Sequence, residues 1–199
     1  AWKRATGERN ILLCARTREG EEALILDALA RLGKTDWLTV IVPRHPQRFD
    51  EVAGMMQAQG LRLRRRAALG QGVDWDQVDV VLGDSMGEMF AYYALCDVAF
   101  IGGSLLPLGG QNLIEALALG KPVLVGEHTF NFLSITDQAI EAGAACRISS
   151  AEQLWDMASA LFADPDRIAA MTHAAHGFAG AHQGASHKTT ELLAPLLAR

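Results

Sequence analysis

Apolar positions along this chain fall into two alternating rhythms. Short apolar runs at Ile11 to Ala15, Trp37 to Val42, Val78 to Leu82, Val98 to Ile101 and Val123 to Val125 have the length and β-branched content of strands buried on both faces. Leu61 to Arg66 is a further strand, third in chain order, and carries a basic run. Between the runs the spacing turns helical. Glu19 to Leu32 is amphipathic, with Leu24, Leu26, Leu29 and Leu32 among its apolar positions. Gln47 to Gln59 is stopped by Gly60, and Met86 to Leu95 is the next helix. Asn112 to Leu119 follows, with Leu113 and Leu117 on one side and Gly120 as its stop. Further on, Ile135 to Ala142 is helical and Ala144 to Ile148 is a last strand candidate. Ala151 to Ala163 is helical up to the Asp164-Pro165 break. Helices at Asp166 to Ala181 and Ser186 to Leu197 close the chain. Ala67 to Gln77 has no clear pattern. Strands alternating with helices predict an α/β fold: a Rossmann-like, doubly wound, mostly parallel sheet covered on both faces. Six strands are expected in the order 3-2-1-4-5-6, with Ala144 to Ile148 available to extend them.

In such a sheet, ligands sit outside the carboxyl ends of the strands. The segments expected there are Arg16 to Gly20, Pro43 to Pro46, Gly83 to Glu88 and Gly102 to Asn112. They are the most polar and glycine-rich stretches of the first two-thirds of the chain. The last of them runs from a strand through Gly102-Gly103 and Gly109-Gly110 into a helix. Such a loop supplies unpaired N–H groups and a positive dipole end, a ready place for an anionic ligand.

Composition narrows the class. The chain has 199 residues, 50% hydrophobic and 21% charged, which suits one globular α/β domain. A net charge of -5 gives no support to a nucleic-acid partner. Three cysteines make no disulfide framework, and Cys14 and Cys96 sit in apolar contexts as buried thiols. No apolar run approaches the roughly 18 residues of a membrane span. Residues 1–9 read as a linker, and residues 10–199 as the domain.

Each candidate for chemistry has a structural reading beside it. Arg44, between Pro43 and His45-Pro46, could fork onto a phosphate or carboxylate, or stand in a rigid solvated turn. The N–H groups of Met86 and Gly87 could meet a phosphate, with Glu88 on a ribose hydroxyl. Ser85 and Glu88 equally have capping-box spacing. Asn112 and Glu115 raise the same pair of readings, a shared ligand face or a cap, and spacing alone favours capping. Arg62, Arg64, Arg65 and Arg66 read as a solvated strand edge. His128 to Phe132 could close over the site or pack its loop down. His173, His176, His182 and His187 do not share a helical face at ligand spacing, so no metal is expected. Gly120-Lys121 lacks the upstream glycine of a Walker loop, and no Gly-x-Gly-x-x-Gly follows the first strand.

Two segments together, Phe100-Ile-Gly-Gly-Ser-Leu-Leu-Pro-Leu-Gly-Gly-Gln-Asn-Leu-Ile-Glu115 and Gly120-Lys-Pro-Val-Leu-Val-Gly-Glu-His-Thr-Phe-Asn-Phe132, closely resemble the 3-deoxy-D-manno-octulosonic acid (Kdo) transferase family. Val42-Pro-Arg-His-Pro-Gln-Arg-Phe49, Gly83-Asp-Ser-Met-Gly-Glu88 and Glu19-Gly-Glu-Glu22 fit it in the same order. The likeness runs from about Ile11 to Ile148. It implies the C-terminal, donor-binding half of a GT-B glycosyltransferase. That family transfers Kdo from CMP-Kdo to a lipid A precursor at the cytoplasmic face of the inner membrane, without a metal. The resemblance further implies that Pro43 and Arg44 meet the donor's CMP and that Met86 and Gly87 line its phosphate and cytidine. Ser104 lies close by, Asn112 and Glu115 take polar groups, and Glu88 and Gln111 complete the donor-binding set. The family's general base belongs to its N-terminal half, so this chain alone is expected to bind donor and transfer nothing. Two departures stand out. Gln111 replaces a usual histidine, and Arg16-Thr17-Arg18 replaces a common Ser-Thr-His. Two alternatives stay open: a UDP-sugar half of another GT-B enzyme or sugar-nucleotide epimerase, and a non-catalytic nucleotide-sugar-binding module.

Overall fold

The computed structural model describes residues 6–7, 9–70 and 73–182. The helix expected at Ser186 to Leu197 and most of the expected linker lie outside these residues. Seven strands, all parallel, make one sheet: β1 (Ile11–Thr17), β2 (Leu38–Pro43), β3 (Leu63–Arg65), β4 (Val80–Leu82), β5 (Val98–Ile101), β6 (Val123–Val125) and β7 (Ala145–Arg147). The helices are α1 (Glu21–Leu32), α2 (Phe49–Ala58), α3 (Met89–Leu95), α4 (Ile114–Ala118), α5 (Leu133–Glu141), α6 (Ala151–Phe162) and α7 (Pro165–His182).

β1 shows why the sheet is covered twice. Its residues from Ile11 to Ala15 are all buried, and alternate side chains enter opposite cores. Ile11, Leu13 and Ala15 face Tyr92 and Tyr93 of α3, Leu117 of α4 and Phe178 of α7. Leu12 and Cys14 face Ile25 and Leu26 of α1, Met56 of α2 and Trp155 of α6. The Trp155 indole also donates to the carbonyl of Ile25 at 3.2 Å, pinning α6 to α1. Sequence-local caps hold the last helices. Ser150 accepts from the Gln153 N–H ahead of α6, and Asp164 accepts from the Arg167 N–H ahead of α7, where Pro165 is the first residue.

The strand order differs from the expectation. It is β3-β4-β2-β1-β5-β6-β7, so β1 lies against β2 and β5, and β4 fills the place expected for the third strand. The reason is burial. The middle of this sheet is covered on both faces, which suits Val80, Val81 and Leu82, all buried. Leu63-Arg64-Arg65 cannot enter such a position without burying guanidinium groups, so it keeps the outer edge, where the expected order also had it, and β4 rather than β3 lies beside β2. There Arg62 pairs with Asp79, Arg65 with Asp50 and Arg66 with Glu88, while Arg64 stays exposed. β7 forms at the opposite edge, parallel to β6. Three helices start later than expected, at Glu21, Met89 and Ile114. In each case the residues before the helix are drawn into the loops at the sheet's carboxyl edge.

Candidate functional site

β1, β2, β4 and β5 all end on the same edge, and their following loops make its surface. Between the β2 and β4 loops opens a cleft of about 290 Å³, lined by Arg16, Val42, Pro43, Arg44, Phe49, Ser85, Met86, Gly87, Met89, Phe90 and Glu115. Of the residues singled out from sequence, Pro43, Arg44, Met86, Gly87 and Glu115 meet here. Pro43 ends β2, buried, and the Arg44 N–H then donates to the carbonyl of Thr17 at 2.9 Å. The backbone of Arg44 is therefore fixed. Its guanidinium is exposed and makes no bond among the described residues. His45 opens a 3₁₀ turn at Pro46–Arg48, its carbonyl accepting the Arg48 N–H. The turn is rigid, as one reading had it, yet it leaves Arg44 available for the other.

On the facing wall, Gly83 is required by close approach: a Cβ there would stand 2.6 Å from a Val42 methyl and 3.0 Å from the Tyr92 ring. The loop then turns at Gly87, whose φ is 77°, and exposes Met86. Among the described residues, neither the Met86 nor the Gly87 N–H has a hydrogen-bond acceptor. Met86 is 68% exposed and Phe90 59%, which gives the cleft a large apolar rim.

The capping box expected at Ser85 and Glu88 does not form. The Ser85 hydroxyl donates to the Glu88 carboxylate and lies 2.7 Å from the Tyr92 hydroxyl, and neither side chain caps α3. Glu88 also accepts from Arg66 at 2.9 Å. The Ser85 bond, aided by Arg66, holds the Glu88 carboxyl below the ordinary carboxylate range. The second expected cap forms by half. Asn112 Oδ1 accepts from the Ile114 N–H at 2.9 Å, an Asx turn into α4. Glu115 does not reach back to Asn112; its Oε2 accepts from Arg16 at 2.7 Å.

The glycine-rich loop after β5 is the main correction. Its N–H groups point at an anion, but the anion is the chain's own Glu21. Glu21 Oε1 accepts from the N–H of Ser104 and of Leu105, each at 2.9 Å. Its Oε2 accepts from Gly103 at 2.6 Å and from Arg18 at 2.9 Å. The carboxylate is fully buried. Ser104 is buried as well, donating to the Ile101 carbonyl and accepting from the Gly126 N–H. It is not brought to the cleft. Glu88, Gln111 and Asn112 also stand off its lining; the Gln111 amide lies beside Gly103. Gly109 and Gly110 are sites of close approach by the 128–131 loop: the Asn131 and Phe130 side chains lie over Gly109 and the His128-Thr129 backbone over Gly110. A Cβ on Gly109 would stand 2.1 Å from Asn131 Nδ2. That loop is packed down, with the Asn131 N–H on the Gly109 carbonyl and Thr129 buried, while Phe130 stays exposed.

Behind the cleft, Glu22 is buried and accepts from Thr17 at 2.9 Å and from Arg48 at 2.8 Å. Arg48 also bonds Glu51. Burial pushes the Glu22 carboxyl up, against its bonds to Arg48 and Thr17. Arg48 thus joins α1 to the turn that carries Arg44 and Phe49. Phe49, Met89 and Phe90 were missed as lining residues, while Arg16 lay in a segment expected at this edge without being given a role in the donor-binding set. The available signal was position: each lies within a few residues of a strand's carboxyl end or the helix that follows.

No protein-family model matches the chain. Among curated proteins it is similar to the 3-deoxy-D-manno-octulosonic acid transferase of Bordetella pertussis, 48% identical over 198 residues, which are 97% of this chain and 46% of that protein. The protein of the same name from Haemophilus influenzae is 35% identical over 201 residues, covering 100% of this chain and 46% of its own length. The chain spans about half the length of the curated relatives it matches. Among solved structures it is similar to the C-terminal CMP-Kdo binding domain of WaaA from Acinetobacter baumannii. The TM-score is 0.81 and the identity 37%, over 87% of this chain and 91% of that one. The Anabaena protein Alr3699/HepE, in complex with UDP, matches with a TM-score of 0.66 at 16% identity, over 99% of this chain and 50% of that one, a likeness of fold alone. The fold is the Rossmann-like, doubly wound α/β domain of the C-terminal half of a GT-B glycosyltransferase.

Proposed function

We propose a donor-binding role for this chain, which belongs to the 3-deoxy-D-manno-octulosonic acid (Kdo) transferase family as the C-terminal half of its fold. Its ligand in this reading is CMP-Kdo, and the complete enzyme moves Kdo to a lipid A precursor. The observation that carries the reading is the cleft at the carboxyl edge, in a domain of which a CMP-Kdo binding domain is the structural relative. Arg44 offers a positioned, unpaired guanidinium for the phosphate. The N–H groups of Met86 and Gly87 offer a second set of donors, and Met86, Phe49 and Phe90 an apolar surface for the base and ribose. Glu115, in the lining, offers a polar group to the sugar, while Asn112 is held in its Asx turn off the lining.

In the transfer, the bond between the sugar's anomeric carbon and the phosphate oxygen breaks, and its electrons leave with CMP. A cation beside that phosphate stabilises the departing charge. The acceptor hydroxyl forms the new bond and gives up its proton to a base. Among the lining residues Glu115 is the carboxylate, ion-paired to Arg16 when no donor is bound, and Arg16 and Arg44 are cations. In this reading the base and the acceptor belong to a second domain, the N-terminal half that the family resemblance implies, which closes over the donor at the cytoplasmic face of the inner membrane. Among the described residues, no helix is long and apolar enough to cross a membrane.

Calorimetric titration with CMP and with UDP tests the reading. CMP should bind more tightly. A preference for UDP would move the chain to a UDP-sugar enzyme, and no binding of either by folded protein would overturn the donor-binding role. Incubated alone with CMP-Kdo and lipid A precursor, the chain should give no product by mass spectrometry. Multiple-turnover product would place the base within it.

A further inference from the structure

The cleft holds two guanidinium groups in different states. Arg44, on the β2 side, is exposed and unpaired. Arg16, at the end of β1, uses one of its five N–H donors on Glu115; among the described residues the other four have no partner. The Arg16 and Glu115 side chains are 20% and 25% exposed, so the pair is largely shielded from water. Arg16 also has a left-handed backbone, with φ at 55°, the sole such case outside glycine among the described residues. It sits on a bulge, where the register jumps from Ala15 opposite Val42 to Thr17 opposite Pro43. The bulge is held from both sides. The Gly102 N–H donates to Ala15, the Arg44 N–H donates to Thr17, and a Cβ on Gly102 would stand 2.6 Å from the Arg16 carbonyl oxygen. Strain kept in place this way at the mouth of a cleft marks a residue that is being aimed.

What Arg16 is aimed at is already a carboxylate, that of Glu115. Close by, the Tyr93 hydroxyl is fully buried and without a hydrogen-bond partner. Burial raises its pKa, while the charge of Arg16 opposes and that of Glu115 adds to the rise.

We propose that Arg16 reads the carboxylate of the donor's sugar acid, exchanging Glu115 for it. The proposal rests on the donor-binding reading above. A nucleoside monophosphate ester of a sugar acid carries two anionic groups, the phosphodiester and the carboxylate. Two guanidinium groups on neighbouring strand ends match them. Arg44 alone would take the phosphate and leave the carboxylate facing Glu115, a like charge. Arg16 presents a planar fork, which suits a carboxylate better than a point charge does. The exchange replaces one carboxylate by another on the same guanidinium. Glu115 is then released toward the sugar hydroxyls. In this way the cleft selects nucleotides of acidic sugars over those of neutral ones.

The test is calorimetric titration of the chain with CMP and with freshly made CMP-Kdo. Wild type should bind CMP-Kdo more tightly than CMP. Arg16→Asn keeps a residue that tolerates the left-handed backbone and removes the charge. It should lose about tenfold in CMP-Kdo affinity and less than about threefold in CMP affinity. Arg16→Lys should fall between, and Arg44→Ala should weaken both ligands in parallel. If Arg16→Asn does not fold, Arg16→Gly serves, since glycine relieves the backbone. Equal losses for the two ligands, or no loss for either, would overturn the carboxylate assignment while leaving the donor-binding reading intact. A wild-type chain that binds neither ligand overturns the donor-binding reading and this proposal with it.

Discussion

The carboxyl edge of the sheet carries two donor-rich arrangements, one that binds an anion of the chain's own and one that we propose takes an anion from outside. On the β5 side, four backbone N–H groups converge on the buried carboxylate of Glu21. On the β2 and β4 side, the Met86 and Gly87 N–H groups and the Arg44 guanidinium face the cleft. The first has its anion built in; the second is open to one from outside. The difference lies in what the neighbouring strand's helix brings. β1 pairs with β5, so the start of α1 lands over the glycine loop and delivers Glu21. Glu88, which follows the Met86-Gly87 turn on the open side, turns away to Ser85 and Arg66. Donor-rich loops are thus closed by the chain itself on one side and left open on the other, the side to which we assign recognition.

The largest expected effect breaks the closed side. Glu21→Ala strands the N–H groups of Arg18, Gly103, Ser104 and Leu105 without their acceptor. At about 1–3 kcal/mol for each buried unsatisfied group, the loss should reach at least about 4 kcal/mol in chemical denaturation. A loss below about 1 kcal/mol would mean that the loop does not depend on this carboxylate. Next is the link between the two sides. Arg48→Met removes the guanidinium partner of buried Glu22 and should cost about 3 kcal/mol of stability. Because Arg48 adjoins Phe49 in the cleft wall, CMP binding should weaken as well. Unchanged CMP affinity in the folded variant would show that the link is purely structural.

Arg44→Ala probes the open side alone. It should weaken CMP by about 1.5–3 kcal/mol in titration. Melting should barely move, by less than about 0.5 kcal/mol, since the side chain makes no bond among the described residues. Loss of stability with CMP affinity retained would return Arg44 to the role of a rigid turn. The smallest effect is a pH dependence. The folded-state pKa of Glu88 lies below its unfolded value, chiefly through the Ser85 bond. Its contribution to stability is therefore present above the unfolded pKa and is lost as pH falls through the folded one. The stability gap between wild type and Glu88→Gln should narrow as pH drops from about 6 to about 3. A gap that stays constant would mean that these bonds do not favour the ionised form.

Much of this was legible before the structure. The bounds of β5 and β6 match the apolar runs that predicted them. The carboxyl-edge loops were identifiable because alternating strands and helices force parallel strands, which put those loops on one edge. Pro43, Arg44, Met86 and Gly87 followed from that. The capping readings of Ser85 and Glu115 failed, because a spacing of three admits either a backbone or a side-chain partner. Here Glu88 and Tyr92 claimed Ser85, and Arg16 claimed Glu115.

The chain's own pattern was enough to determine the layered fold, the edge where loops gather and the arginine held at a strand end. These are local consequences of period, turn chemistry and burial. Which strand took the third place depended on which segment could tolerate double burial, a comparison between Leu63-Arg64-Arg65 and Val80-Val81-Leu82 that only packing resolves. Which anion filled the glycine loop depended on Glu21 and Gly103, 82 residues apart in sequence, meeting across paired strands. Arg16 and Glu115 meet over 99 residues in the same way. Charges separated by that much chain find each other only after the sheet has set its register, so their pairing belongs to the tertiary structure.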